Sequence, residues 1–152
     1  MQDEIRAAAD VYPDKRSGVM TGLRLAQHEY GGWLPPEALL EVAEALDLTP
    51  AHVQSVASFY DMYNLAPVGE HVVEVCTNVS CALVGAQQVV DAFSEELGVA
   101  PGETSEDGKV TLRTIECAGG CGYAPVVVLD HRYREPTRPE DVRAIVEELR
   151  NG

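Results

Sequence analysis

The sequence predicts an α+β chain whose first part is helical and whose second part combines strands with helices. Apolar residues recur every three or four positions from residue 1 to about 67, which is the spacing of amphipathic helices. After the turn-forming segment at 64–69, runs of strand length rich in β-branched residues alternate with helical segments. We therefore divide the chain into an N-terminal helical bundle at 1–67 and a domain of order β-α-β-β-α at 68–152.

The helical part contains an opening helix and three strongly periodic segments. Helices are predicted before Tyr12, at 17–30, at 35–47 and from Thr49 onward. Gly31 and Gly32 end the second of these, because glycine tolerates positive φ. Thr49 followed by Pro50 is typical of an N-cap and first helical position. The predicted core stripe consists of Val19, Leu23, Ala26, Tyr30, Leu39, Val42, Ala43, Leu46, Val53, Val56, Ala57 and Tyr60.

An aromatic group follows the last of these helices. Phe59, Tyr60 and Tyr63 are expected to form part of the core, and the alternative is a patch that faces a partner protein.

The second part begins with a strand and ends with a helix. Strands are predicted at 71–76, 109–116 and 125–129, a short further strand is optional, and helices are predicted at 82–97 and 139–150. Gly98 is placed to cap the first helix. The buried helical faces should consist of Ala86, Val89, Val90, Phe93, Leu97, Val142, Ile145, Val146 and Leu149.

Charge and hydropathy narrow the class of protein. The formal net charge is -14, with 11 Lys and Arg residues against 25 Asp and Glu residues. This balance argues against binding to nucleic acid or an anionic membrane, because few cations are present to neutralise phosphates. No apolar run reaches the roughly 20 residues of a membrane-spanning helix, and the N-terminus has no secretory pattern. We therefore expect a cytoplasmic, reducing location and no direct membrane insertion.

Four cysteines form the strongest functional pattern, with the spacing Cys-x4-Cys-x35-Cys-x3-Cys. Cys76 closes one predicted strand and Cys81 follows it, whereas Cys117 follows the next strand and precedes Cys121. If a helix connects these strands as parallel neighbours, both loops lie at the same edge of the sheet. Four thiolates from two such loops can converge on one iron–sulfur centre.

Other interpretations of the cysteines remain. A structural zinc site is the main rival, although its ligand pairs are usually more closely spaced, and its function would be that of a zinc-stabilised interaction module. Buried free thiols and disulfides are less favoured because two pairs follow strand ends in a reducing compartment. His28, His52, His71 and His131 lack metal-ligand spacing and are expected to have surface or packing roles.

Motifs around these cysteines carry a family resemblance. The loops ValCysThrAsnValSerCys and GluCysAlaGlyGlyCysGlyTyrAlaPro, with ValAlaSerPheTyr upstream, resemble the thioredoxin-like 2Fe-2S ferredoxin component of NADH:quinone oxidoreductase, respiratory complex I. The resemblance implies a thioredoxin-like ferredoxin domain after the helical bundle. It also implies one 2Fe-2S cluster, with Cys76 and Cys81 on one iron and Cys117 and Cys121 on the other.

The same resemblance implies a place in a larger assembly. A flavoprotein subunit would hold FMN and oxidise NADH, and this chain would carry single electrons beside it. The chain would be peripheral to the membrane through that complex, and catalysis would require the partner. Equivalent subunits of NAD-linked hydrogenases and formate dehydrogenases are the alternative within the same fold. The sequence has no G-x-G-x-x-G after a strand, so nothing predicts that this chain binds FMN or NADH itself.

Overall fold

The computed structural model describes residues 1–151 and divides the chain into two compact units. The first unit is Met1–Pro67, and the second begins at Val68. Each unit has its own cluster of buried apolar side chains. The class is α+β, as predicted, because the first unit is helical and the second contains the sheet.

The helices of the first unit confirm the predicted order. They are α1 (Gln2–Ala9), α2 (Val19–Glu29), α3 (Pro36–Leu46) and α4 (Pro50–Phe59), with a 3-10 turn at Lys15–Gly18 before α2. Gly31 and Gly32 follow α2 with φ of 72° and 95°, the backbone conformation expected of them. The Thr49 side chain accepts a hydrogen bond from the His52 backbone N–H at 3.3 Å, which confirms its role as the N-cap of α4.

Side chains from all four helices meet in the core of the first unit. Ile5, Leu23, Val42 and Val53 come from successive helices and are completely buried. Gly22 permits close packing here, because a Cβ atom at this position would lie 3.1 Å from Cγ2 of Ile5 and 3.2 Å from Cγ1 of Val42. Most of the predicted helical stripe is therefore buried, whereas Tyr30 and Val56 are half-buried and Tyr60 is exposed.

The aromatic group after α4 differs from the prediction. Tyr63 is buried and its hydroxyl donates to the Met20 carbonyl at 2.8 Å, as expected of a core residue. Phe59 is 76% exposed and makes an edge-to-face contact with Tyr60, which is 39% exposed, so the core assignment is wrong for both residues. The reason for Phe59 is its position in α4, two residues beyond the buried Ala57 and therefore about 200° around the helix, on the side away from the core. Tyr60 follows the last residue of α4, so the helical periodicity does not extend to it.

The second unit is built on a mixed sheet. Its strands are β1 (His71–Cys76), β2 (Val110–Ile115), β3 (Val127–Leu129) and β4 (Arg132–Arg134), in the spatial order β2-β1-β3-β4. β1 and β2 are parallel, and β3 is antiparallel to both β1 and β4. The predicted strands are present: β1 has its predicted bounds, β2 and β3 are slightly shorter than predicted, and the optional strand is β4.

Three helices accompany this sheet in the described chain. They are α5 (Val79–Leu83), α6 (Ala86–Leu97) and α7 (Val142–Asn151), the last preceded by a 3-10 turn at Pro139–Asp141. The single helix predicted at 82–97 is wrong in its first turn, because Gly85 adopts φ of 102° and separates α5 from α6. Gly98 ends α6 with φ of 71°, as predicted.

The two faces of the sheet have different chemistry. On one face, Val73 and Leu112 pack with Phe93 of α6 and Val146 of α7 in a fully buried apolar core. Since side chains alternate along a strand, Glu74, Cys76 and Arg113 lie on the opposite face. The first cysteine therefore belongs to the face that also carries charged residues.

Candidate functional site

The cysteines follow two adjacent strand ends, as the sequence predicts. Cys76 is the last residue of β1 and is paired in parallel register with Ile115, the last residue of β2. Cys117 lies two residues beyond Ile115. Because parallel strands end at the same edge of a sheet, the two cysteine loops start side by side.

The first pair of cysteines is buried. Cys76 is 3% exposed and Cys81, in α5, is 1% exposed. Both belong to a small cluster with Ala86 and Val126. The Cys76 backbone N–H donates to the Val126 carbonyl at 3.0 Å, which connects this loop to the residue before β3.

The second pair lies in a loop rich in glycine. Cys117 and Cys121 are exposed free thiols, and Cys121 begins a 3-10 turn at Cys121–Tyr123. Gly120 allows the loop to approach the sheet, because a Cβ atom there would lie 3.0 Å from Cγ2 of Val126. Val126 therefore packs beneath both cysteine loops.

Hydrogen bonds join the two loops at the buried pair. The Thr77 backbone N–H donates to the Ile115 carbonyl at 3.1 Å. Burial acts to raise the pKa of Cys76, but hydrogen bonds from the backbone of Ala118 and Asn78 and from the Cys81 thiol hold that pKa below the ordinary thiol value. Ala118 belongs to the second loop, so its N–H already reaches the first sulfur.

The Cys81 thiol has the opposite shift. Burial raises its pKa, the backbone hydrogen bond from Val126 opposes this, and the hydrogen bond to Cys76 and the charges of Cys76 and Cys121 raise the pKa further. Cys121 belongs to the second loop, so a thiol of that loop contributes to the raised pKa of Cys81.

The sulfur atoms are not gathered in a ligating arrangement. Among residues 1–151, no group of three or more Cys, His, Asp or Glu side chains is arranged to hold a metal ion. The donor set nevertheless fits an iron–sulfur cluster, since it consists of four free thiols on two adjoining loops and includes a backbone N–H directed at sulfur.

One histidine has a defined partner. His71 Nδ1 lies 2.7 Å from Oδ2 of Asp130, whose Oδ1 also accepts the Val72 backbone N–H at 2.9 Å. Asp130 has φ of 47°, and this pair stabilises the turn between β3 and β4. His71 therefore makes a polar contact with a turn residue.

Tyr133 is a site residue that the sequence pattern did not indicate. It lies on β4 opposite Val128, and its hydroxyl donates to the Ala118 carbonyl at 2.5 Å. The same residue, Ala118, provides the N–H near Cys76. The alternation of Arg132, Tyr133 and Arg134 was a weak strand signal, and sequence spacing could not connect this strand to the second cysteine loop.

Replacing Tyr133 with phenylalanine should loosen the second cysteine loop. The change removes one hydrogen bond, worth about 1 kcal/mol. We expect faster amide hydrogen exchange across 117–121, measured by mass spectrometry on the full chain, with little change in β1. Tyr123→Phe is the control, because Tyr123 lies in the same region with an exposed ring. Equal acceleration by both variants would contradict a specific role for the Tyr133 hydroxyl.

Within residues 1–151, no helix combines the length and apolar character that crossing a membrane requires.

Comparison with known proteins gives a match over nearly the whole chain. The family model described as thioredoxin-like 2Fe-2S ferredoxin matches residues 5–150. A relative from Mycobacterium tuberculosis, named as a subunit of NADH-quinone oxidoreductase, is 45% identical over 140 residues, which is 92% of this chain and 55% of the relative. The chain thus spans about half the length of that relative.

Two further proteins show the extent of the likeness. The Thermus thermophilus protein NADH-quinone oxidoreductase subunit 2 is 38% identical over 154 residues, covering 99% of this chain and 84% of that protein. A crystal structure of an air-oxidised NAD+-reducing NiFe-hydrogenase superposes with a TM-score of 0.72 at 22% identity. That superposition covers 86% of this chain and 23% of the hydrogenase chain, and it shows a shared fold.

Proposed function

The chain belongs to the thioredoxin-like 2Fe-2S ferredoxin family, and we propose that it is a one-electron carrier whose cluster is held by Cys76, Cys81, Cys117 and Cys121. Membership of the family implies an iron–sulfur cluster, and these are the cysteines of the chain. The observation that carries the assignment is the parallel pairing of Cys76 with Ile115, because it starts both cysteine loops at one edge of the sheet.

The proposed ligands divide by loop. Cys76 and Cys81 would hold one iron and Cys117 and Cys121 the other, within a domain that extends from residue 68. Two properties support this division: the first pair is buried and joined by a hydrogen bond, and the second pair is exposed on a glycine-containing loop. The Ala118 N–H near Cys76 would remain a donor to ligating sulfur and would help to set the reduction potential.

The assembly is proposed from the relatives. Proteins 38–45% identical to this chain are named as NADH-quinone oxidoreductase subunits, whereas the hydrogenase likeness is 22% identical. We therefore favour the quinone oxidoreductase over an NAD-linked hydrogenase. A 2Fe-2S cluster accepts one electron at a time, whereas NADH gives up a hydride, so a flavin must lie between them. The partner would be a flavoprotein subunit that holds FMN and NADH, and the complex would keep this chain at the cytoplasmic side of the membrane.

Metal analysis of the native assembly tests this function. We expect the chain, affinity-purified from its own cells without oxygen, to contain about two iron and two acid-labile sulfide per chain. FMN should copurify through the flavoprotein partner. One zinc per chain without sulfide would instead establish the zinc-stabilised interaction module. Iron and sulfide without FMN would support the proposed cluster but contradict the proposed flavoprotein partner.

A further inference from the structure

A buried ion pair lies on the same face of the sheet as Cys76. The guanidinium of Arg113 donates to Oε1 of Glu74 from Nε at 2.9 Å and from Nη2 at 2.5 Å. The two residues are directly paired across β1 and β2. Their side chains are only 11% exposed for Glu74 and 23% exposed for Arg113. Water therefore screens their charges weakly.

This ion pair is close to the proposed cluster site. Glu74 precedes Cys76 by two residues on one strand, so their Cα atoms are about 7 Å apart and their side chains leave the same face. On β2, Ile115 likewise follows Arg113 by two residues and lies at the start of the second cysteine loop. The pair is thus next to the point where both loops begin.

Stability alone is a poor reason for a buried ion pair. Desolvating two charges costs free energy that their attraction only partly returns, and apolar residues of similar volume often stabilise a fold equally well. The other face of the same strands is filled by apolar residues instead, since Val73, Val75 and Leu112 are fully buried there. A charged pair beside Cys76 therefore points to an electrostatic role.

We propose that the Glu74–Arg113 ion pair tunes the redox site, with the Arg113 guanidinium cancelling the field of the Glu74 carboxylate at the cluster. The inference rests on the proposed function. Reduction adds one electron to the cluster, so an uncompensated negative charge nearby disfavours reduction and an uncompensated positive charge favours it. Both residues act on the electrons through space, without touching the reacting atoms.

Charge-removing variants of the loaded full chain test this proposal by potentiometric titration, followed through visible absorbance and electron paramagnetic resonance. Arg113→Gln should lower the equilibrium constant for reduction on the order of tenfold, which is about 59 mV for a one-electron couple. Glu74→Gln should raise the equilibrium constant for reduction, because it leaves the positive charge of Arg113. The change should be smaller than that of Arg113→Gln, since Arg113 is the more exposed partner and water screens its charge better. The double variant Glu74→Gln with Arg113→Gln should return close to the wild-type potential.

The pattern of signs distinguishes charge from packing. Shifts in the same direction for both single variants, or unchanged potentials, would overturn the proposal, because loss of packing alone has no reason to reverse sign. If Arg113→Gln does not fold, Glu74→Gln decides, since it removes a buried charge and keeps the side-chain shape. A wild-type chain without a cluster would overturn the proposed function as well, whereas a loaded chain with unmoved potentials overturns only the role of the ion pair.

Discussion

Replacing Cys117 with alanine should lower the iron and sulfide bound per chain about tenfold or more and bleach the visible absorbance. Loss of a residue that merely supports a metal ligand typically costs about 10–100-fold in metal affinity, so loss of a ligand should cost at least as much. Cys117 is exposed, and its removal leaves the apolar core of the second unit intact. Anaerobic reconstitution followed by iron, sulfide and absorbance measurements would quantify the effect.

His52→Ala is the control for that variant. His52 is in the first turn of α4, where its backbone N–H is bonded to Thr49, and its imidazole has no proposed role. The spectrum and iron content should remain at wild-type levels. Far-ultraviolet circular dichroism should be alike for both variants and the wild type. Equal losses of iron in Cys117→Ala and His52→Ala would mean that the ligand assignment is wrong.

Elements with strong local signals were predictable from the sequence. β1 occupies 71–76 as predicted, since a run of β-branched residues bounded by turn formers is a strong local signal for a strand. α3 is likewise close to its predicted bounds, because Pro36 starts it and a regular apolar stripe continues through Leu46. The placement of Cys76 and Cys117 after adjacent strands followed from these elements and the parallel crossover.

Features that depend on tertiary context were not predictable in this way. Gly85 interrupts the predicted helix, but an isolated glycine within an amphipathic pattern is often tolerated, so the break carried little signal. Phe59 is exposed because it lies on the side of α4 opposite the buried Val53 and Ala57, whereas aromatic composition alone favours burial.

The candidate site was predictable in composition and location but not in conformation. Spacing and strand ends identified the thiols and the edge of the sheet. The difference in burial between Cys81 and Cys121 arises from tertiary packing, since Cys81 lies in a buried cluster with Cys76, Ala86 and Val126 and Cys121 does not. Local sequence does not report this packing. The contact from Tyr133 to Ala118 spans 15 residues and two strands, so it became visible only with the fold.

Phe93→Ala should cause a large loss of stability in the second unit. Phe93 is 0% exposed in α6 and lies in the cluster that contains Val73 and Leu112. Truncating a fully buried phenylalanine removes apolar contacts and leaves a cavity, which typically costs about 3–5 kcal/mol in the free energy of unfolding. Urea denaturation of the full chain, followed by circular dichroism, would measure this loss.

Phe59→Ala provides a matched control, because it makes the same chemical change at the other phenylalanine of the chain. Phe59 is 76% exposed and has an edge-on contact with Tyr60, so its loss should cost no more than about 1 kcal/mol. Comparable losses would contradict the burial of Phe93.

The two variants should also differ in cluster retention. β1 and β2 pack on Phe93 and lead into the two cysteine loops, so a cavity beneath them should loosen the edge from which the proposed ligands start. Iron should therefore be released faster from Phe93→Ala than from Phe59→Ala under the same chelator.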